Sequence, residues 1–489
     1  MIPYFVIIPL GTAFVIAIIA GKKDVIAAAL STLATAVVLA LSVIALVKLD
    51  GAALVYEMGR WPAPFGIVLV MDSFSALMLV VIYIMALTSL MFSMPYLQSI
   101  GRDWKYYALF LLMLSGMTGV VLTGDIFNLF VFMEIALLAA FALVAFGCAA
   151  EEYEAAFKYA VMGSVSSSLI LIAIAVLYSA ASTLTMAKIA AVAPTLDHRV
   201  VFWVGALFLV GFGLKAAAIP FHAWLPDAHS SAPAPISAML SGVLIKALGV
   251  YALIRIFYNV FNAPPIFLNL FIALGMISML LGVLPALAQW DMKRLLAYSS
   301  ISQIGYILLA IGLGTPLALV GAVYHLINHA LFKGLLFYNA GAVEMALGTR
   351  DLKRMGNLTR LLPVTGGTSM VASLSIAGIP PFNGFFSKLI IVIAALQAGH
   401  PVAALLAVVV SVLTLSVFMK VQRYGFRGER VIDKVEPVGW SMNAAMITLA
   451  VLCVLTSLLV IPAVRAAVLD PAVDVIMAKT HYVQSVMGR

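Results

Sequence analysis

Five ionisable residues sit where a lipid-spanning helix has no routine use for charge: Glu134, Lys215, Lys246, Lys333 and Lys388, each inside a long apolar run. A charge at the bilayer centre costs roughly 2.5–3.5 kcal/mol on insertion scales, so five of them imply a task, and the task that suits lysine and glutamate at that depth is moving ions. His325, Asn328, His329 and Lys333 recur at near-helical spacing, which makes one face of a single helix polar and capable of handing on protons. Glu134 has no charged neighbour within two turns of its own helix, and Lys215 is its expected partner. Burial disfavours a lysine's ammonium form and a nearby carboxylate favours it, so a glutamate that approaches and retreats would make the lysine bind and release a proton. The competing reading is a static buried salt bridge that fixes helix packing.

The elements that must position these groups are membrane helices. The chain is 64% hydrophobic and 10% charged, which describes an integral membrane protein. Its beginning, Met1-Ile2-Pro3-Tyr4, has no basic flank, and no small-residue cleavage site follows the apolar run. A retained first helix is therefore expected over a removed signal peptide. Apolar runs predict an all-α fold of about fourteen spans, near 3–20, 25–47, 67–92, 106–122, 126–147, 158–178, 200–219, 234–258, 266–287, 298–313, 317–341, 368–397, 402–420 and 440–462. Loops after odd-numbered spans hold sixteen of the 28 Lys and Arg residues, among them Lys22, Lys23, Lys293, Arg294, Arg350, Lys353, Arg354, Arg423 and Arg427. The other side holds eight, which places both termini outside a prokaryotic-type cell membrane. The net charge of +8 follows this asymmetry, and a nucleic-acid surface is the wrong reading.

Two helices carry matching interruptions. Ala217-Ala218-Ile219-Pro220-Phe221 breaks the seventh span and Ala377-Gly378-Ile379-Pro380-Pro381-Phe382 breaks the twelfth, 160 residues apart when counted from Ile219 to Ile379. Proline removes a backbone donor, so each helix should open in mid-membrane with its freed carbonyls facing protein or water. The expected organisation is three helices over 1–105, two inverted five-helix repeats over 106–258 and 259–421, and a loop, last helix and tail over 422–489. Lys388 lies beyond the second break, as Lys215 lies before the first, and its expected role is the end of a conduction path; snorkelling to the interface is the bland alternative. Asp72, His222 and Asp227 are weaker candidates that could equally cap helices or line loops.

The His325/His329 pair has no third His, Cys or carboxylate at ligand spacing, so no metal is expected. Cys148 and Cys453 are too few for a cluster, and the chain has no glycine-rich dinucleotide unit, so neither a cofactor nor a redox centre of its own is expected.

The strings Gly213 to Ala228 (GLKAAAIPFHAWLPDA), Asp291 to Ser300 (DMKRLLAYSS) and Gly378 to Phe382 (GIPPF) resemble those of the antiporter-like subunits shared by respiratory complex I, Mrp-type cation/proton antiporters and membrane-bound hydrogenases. The segment Gly59 to Ile67 (GRWPAPFGI), followed by Asp72, looks most like the Mrp D-type subunit and its hydrogenase relatives. The resemblance implies a coupling pair at Glu134 and Lys215, and a continuing central axis at Lys246, His325, His329, Lys333 and Lys388. It also implies other membrane subunits as partners and protons, with Na⁺ as a second ion, as cargo. Sodium prefers several oxygen ligands, whereas these groups are mostly nitrogen, so the expected cargo of this chain is the proton. The alternatives are a proton-pumping subunit of a complex I-like hydrogenase, formate hydrogenlyase or NADH:quinone oxidoreductase, and a non-transporting or quinone-binding membrane anchor.

Overall fold

A computed structural model of the protein describes residues 1–19, 24–49, 51–101, 103–428 and 435–488. Lys22 and Lys23, assigned to the first loop, lie outside the described residues.

Among the described residues, thirteen helices are long and apolar enough to cross a membrane. They are α1 (Ile2–Ile19), α2 (Asp24–Lys48), α3 (Ser73–Gln98), α4 (Trp104–Leu122), α5 (Ile126–Val144), α6 (Ala150–Ala181), α7 (His198–Ala216), α8 (Ala234–Val260), α9 (Pro265–Ala288), α10 (Met292–Leu313), α11 (Pro316–Leu347), and, after a broken span, α14 (Pro401–Phe426) and α15 (Trp440–Val460). The broken span is present as two half-length helices, α12 (Pro363–Ala377) and α13 (Asn383–Gln397), so all fourteen expected spans are found. Aspartates set many of the starts: the side chains of Asp72, Asp103, Asp125, Asp197 and Asp291 each accept a backbone N–H in the first turn of the helix that follows.

The expectation for the third span needs correction. Its first six residues are not helical: Val68–Met71 pairs antiparallel with Leu54–Glu57, in register from Leu54 opposite Met71 to Glu57 opposite Val68. Asp72 and Ser75 then close a reciprocal capping box that delays the helix to Ser73. Alternating Val and Leu ahead of an Asp-Ser pair suit a short strand and a cap, which an apolar count cannot separate from helix.

Both broken helices end in the same way. The N–H groups of Ala217 and Ala218 reach back to carbonyls of Leu214 and Gly213, and those of Gly378 and Ile379 reach to Ser375 and Leu374. Ala217 (φ 54°) and Gly378 (φ 77°) hold the left-handed conformation that this helix termination requires. The reversal thus begins two or three residues before each proline, and the proline prevents the helix from resuming.

Helix α8 and the middle of α11 are buried at the centre. Most of α8 is wound with i→i+5 bonds, over Leu240–Leu244, Lys246–Tyr251 and Arg255–Val260. Behind them α9 and α10 touch backbone to backbone. A Cβ on Gly275 would stand 2.5 Å from the nitrogen of Leu309, and one on Gly305 would stand 2.5 Å from the nitrogen of Met279. Small residues of this kind are what lets membrane helices pack without a hydrophobic driving force between them.

The loops after α5, α9 and α11 meet on one face together with the short helix Trp224–Ser231 that follows the first break. Asp227 pairs with Lys158 (2.9 Å) and Arg294 (3.2 Å), and Arg350 pairs with Asp291 (3.0 Å). On the opposite face a strap of three short helices, α16 (Pro462–Val468), α17 (Asp470–Met477) and α18 (Lys479–Met487), crosses from the end of α15 to the first half of the chain. Beneath it Arg255 donates to Asp72 at 2.6 Å, with both side chains buried, and Asn259 donates to the carbonyls of Val475 (2.9 Å) and Ile476 (3.2 Å). Burial pushes the Tyr482 phenol of the strap up to about 12, so it stays neutral beside the Arg255 guanidinium.

Two stability outcomes follow from this packing. Gly305→Val forces apart backbones already in contact and should cost about 1–3 kcal/mol, read as an earlier midpoint in detergent-solubilised thermal unfolding. Arg255→Ala leaves the Asp72 carboxylate buried without its cation and should cost about 3–5 kcal/mol by the same measurement, with Asp72→Asn restoring part of the loss in the double variant.

Candidate functional site

The first expected pair is joined through a third residue. Among the described residues Glu134 and Lys215 make no direct ion pair. Instead the Lys215 amine, at the buried end of α7, donates to the hydroxyl of Ser167 and to the carbonyl of Gly163, each at 2.9 Å. The same Ser167 hydroxyl donates to Glu134 in a short hydrogen bond. One serine on α6 therefore accepts from the amine and donates to the carboxylate, so the partners lie one hydroxyl apart. Sequence reading passed over it, although Ser164, Ser166, Ser167 and Ser168 crowd the otherwise apolar stretch of α6 between Ala160 and Leu177.

Lys246 and Lys333 belong to a second group around α10. Lys333, on α11, donates to the carbonyl of Leu296 (2.7 Å) and to the hydroxyl of Ser299 (2.5 Å). Leu296 also accepts from Ser299 (3.0 Å) and Ser300 (2.9 Å), and Ser300 meets Ser241 of α8 at 2.8 Å. The Lys246 amine folds back onto the carbonyl of that same Ser241. The wide turns of α8 bring it to this backbone acceptor on its own helix. From Lys246 to Lys333 the polar atoms run Ser241, Ser300, Leu296 without an intervening apolar side chain. Next to them His229, unremarked in the sequence, is fully buried with neither ring nitrogen hydrogen-bonded, within electrostatic reach of both lysines. Its place at the end of the first break could have singled it out.

The polar stripe of α11 is buried along its whole length. His325 bonds Ser387 through Nδ1 at 3.0 Å, Asn328 donates to the carbonyl of Asn383 at 2.9 Å, and the rings of His325 and His329 lie 6.4 Å apart. Neither ring nitrogen of His329 has a hydrogen-bond partner. Ser387 and Lys388 are adjacent on α13, just past the second break. The Lys388 amine donates to the freed carbonyl of Ile376 (2.7 Å) and to Ser411 of α14 (3.1 Å), and stands 4.8 Å from the Tyr306 ring centre. It is 5% exposed, so it does not snorkel. An apolar cavity of about 230 Å³ opens beside it between α13 and α14.

The candidates thus fall into three clusters, Glu134 with Lys215, Lys246 with Lys333, and His325 with Lys388, and His329 stands between the last two. Among the described residues none of the four lysines has a carboxylate at ion-pair distance. The weaker candidates resolve as the bland readings had them: Asp72 caps α3 and pairs with Arg255, Asp227 belongs to the surface ion pairs, and His222 lies half-buried in the first break. Lys293 and Arg255 are buried, and each reaches a carboxylate from near a helix end.

Comparison with known proteins agrees with this architecture. The family model described as "NADH:quinone oxidoreductase/Mrp antiporter, TM" matches residues 123–414, more than half of the chain. Among curated proteins, the chain is 36% identical to the D-type subunit of the Na(+)/H(+) antiporter of Alkalihalophilus pseudofirmus, over 88% of each chain. It is 39% identical to the N-type subunit of the NADH-quinone oxidoreductase of Desulforudis audaxviator, over 86% of this chain and 84% of that one. Among solved structures, a chain of the Mrp complex of a Dietzia species superposes with a TM-score of 0.92 at 29% identity, covering 100% of this chain and 99% of its own. Breaks, buried amines and likeness converge: this multi-pass membrane protein belongs to the NADH:quinone oxidoreductase/Mrp antiporter transmembrane family.

Proposed function

We propose that the chain is the proton-carrying, D-type subunit of a multisubunit cation/proton antiporter in a prokaryotic-type cell membrane. The observation that carries this reading is the set of buried amines held only by carbonyl and hydroxyl oxygens. An ammonium in such a place is costly, and at Lys246, Lys333 and Lys388 it lacks a counter-ion to fix it, so it is suited to exchanging a proton rather than to gluing helices. Within each cluster hydroxyls and carbonyls order the groups. Between clusters, water would carry the proton, since facing helices stand about 8–10 Å apart.

In this reading Glu134 and Lys215 are the switch, with Ser167 as the hinge between them. Lys246, Lys333 and His229 form the middle of the path, His325 and His329 lead onward, and Lys388 is the far end. Residues 106–258 and 259–421 act as two successive five-helix units related by inversion, and the abundance of Lys and Arg after odd-numbered spans puts both termini outside. Direction comes from partner subunits and the ion gradient, and any sodium path lies elsewhere or at an interface. A second reading, a proton-pumping subunit of a redox-driven complex, is favoured by the 39% identity to the N-type subunit of an NADH-quinone oxidoreductase.

Vesicles holding the intact native complex separate the two. Proton movement driven by an imposed Na⁺ gradient should occur in the wild type, and its absence would favour the redox pump. Lys215→Ala and Glu134→Gln should each lower the flux by about tenfold or more with assembly intact. Unchanged flux in both would make the pair structural. Ser167→Ala should give a comparable loss, while Ser167→Thr, which keeps a hydroxyl, should retain most of the flux.

A further inference from the structure

The face where the loops after α5, α9 and α11 meet is hollow. Two adjoining polar cavities of about 440 and 460 Å³ share Glu151, Ser231, Asp291 and Arg350 in their walls. At the floor of the second lies Lys293, only 2% exposed, with its amine 2.7 Å from Glu344 and 3.2 Å from the carbonyl of Ala232. Tyr96 of α3, Glu152 of α6, Asp291 and Arg350 face the same pair from the surrounding elements, and Arg350 reaches Glu344 at 3.7 Å.

What lies inward of Lys293 sets this pair apart from surface ion pairs. Lys293, Leu296 and Ser300 follow one another at i, i+3 and i+7 along α10, on one face of the helix. Leu296 holds the Lys333 amine, and Ser300 leads through Ser241 to Lys246. Ala232, which accepts from Lys293, is three residues beyond His229, itself buried with both nitrogens unpaired. A basin open to water, a buried amine at its floor and the central amines one to two turns further in therefore share a single helix face.

We propose that Glu344 and Lys293 form the inlet through which protons pass between this basin and the central lysines, a role that rests on the proton-carrying reading above. In one passage the Lys293 ammonium gives a proton inward, through water, to the amine of Lys333 or Lys246. The Glu344 carboxylate then takes a proton from the basin and passes it to the neutral Lys293 amine, which restores the ion pair. One proton enters, one leaves the pair inward, and the pair ends in its starting state. A structural ion pair needs only the opposite charges, whereas an inlet needs a cation that can release its proton.

Lysine and arginine differ in this respect, because a guanidinium keeps its charge and its donors but does not deprotonate. In vesicles of the native complex, Lys293→Arg should assemble normally and lower gradient-driven proton flux by about tenfold or more, and Glu344→Gln should do the same. Wild-type flux in Lys293→Arg overturns the inlet. If Lys215→Ala and Lys246→Ala abolish flux in the same preparation, the proton-carrying reading survives that result; if they do not, it falls as well. A second measurement is independent of how the Lys293 variants fold. In a Cys148→Ser, Cys453→Ser background, Thr349→Cys in the basin wall is treated with a bulky impermeant thiol reagent. Flux should fall when the reagent is applied to the basin side and not when it is applied to the other side; full labelling with unchanged flux also overturns the inlet.

Discussion

The structure turns on one constraint: an amine taken into the interior of a membrane protein must find acceptors there, and those acceptors decide what it can do. Lys215, Lys333 and Lys388 each find one backbone carbonyl and one serine hydroxyl, and Lys246 finds a carbonyl. Those carbonyls are available for local reasons. Ile376 is released by the break between α12 and α13, and Ser241 lies in the wide winding of α8. Neutral dipoles stabilise charge without cancelling it, and they leave the amine free to change state.

The rest of the architecture keeps these acceptors in place. The contact of α9 with α10 fixes the helix face that presents Leu296, Ser299 and Ser300, and it leaves no slack for sliding because backbone meets backbone. Aspartate caps define where several helices begin, so the depth of each buried group is set from its end. The surface ion pairs around Asp227, Asp291 and Arg350 then hold the broken α7 against α10 and α11.

Much of this was legible in the sequence, for physical reasons that differ from residue to residue. A lysine in an apolar run is conspicuous because lipid tolerates few of them, and Ile-Pro after Ala-Ala or Ala-Gly announces a break because proline cannot continue the ladder. Ser167 and His229 were less visible. A serine is cheap in a membrane helix, and its importance comes from which two helices it lies between. The winding of α8 left no trace, since no residue type demands an i→i+5 turn. The burial of Lys293 was not legible, because a positive charge near a helix end reads as exposed, while its long side chain can turn inward to a carboxylate. The hairpin before α3 was hidden because apolar residues of a short strand and of a membrane helix look alike.

The strap across the opposite face has a consequence for how the chain is made. Asn259 takes its acceptors from Val475 and Ile476, 216 and 217 residues further along. While the ribosome is still producing α9 to α15, the guanidinium of Arg255 and the carboxylate of Asp72 can find each other but have no roof. A segment made more than 200 residues later supplies it, so this buried pair cannot close before translation has passed residue 476.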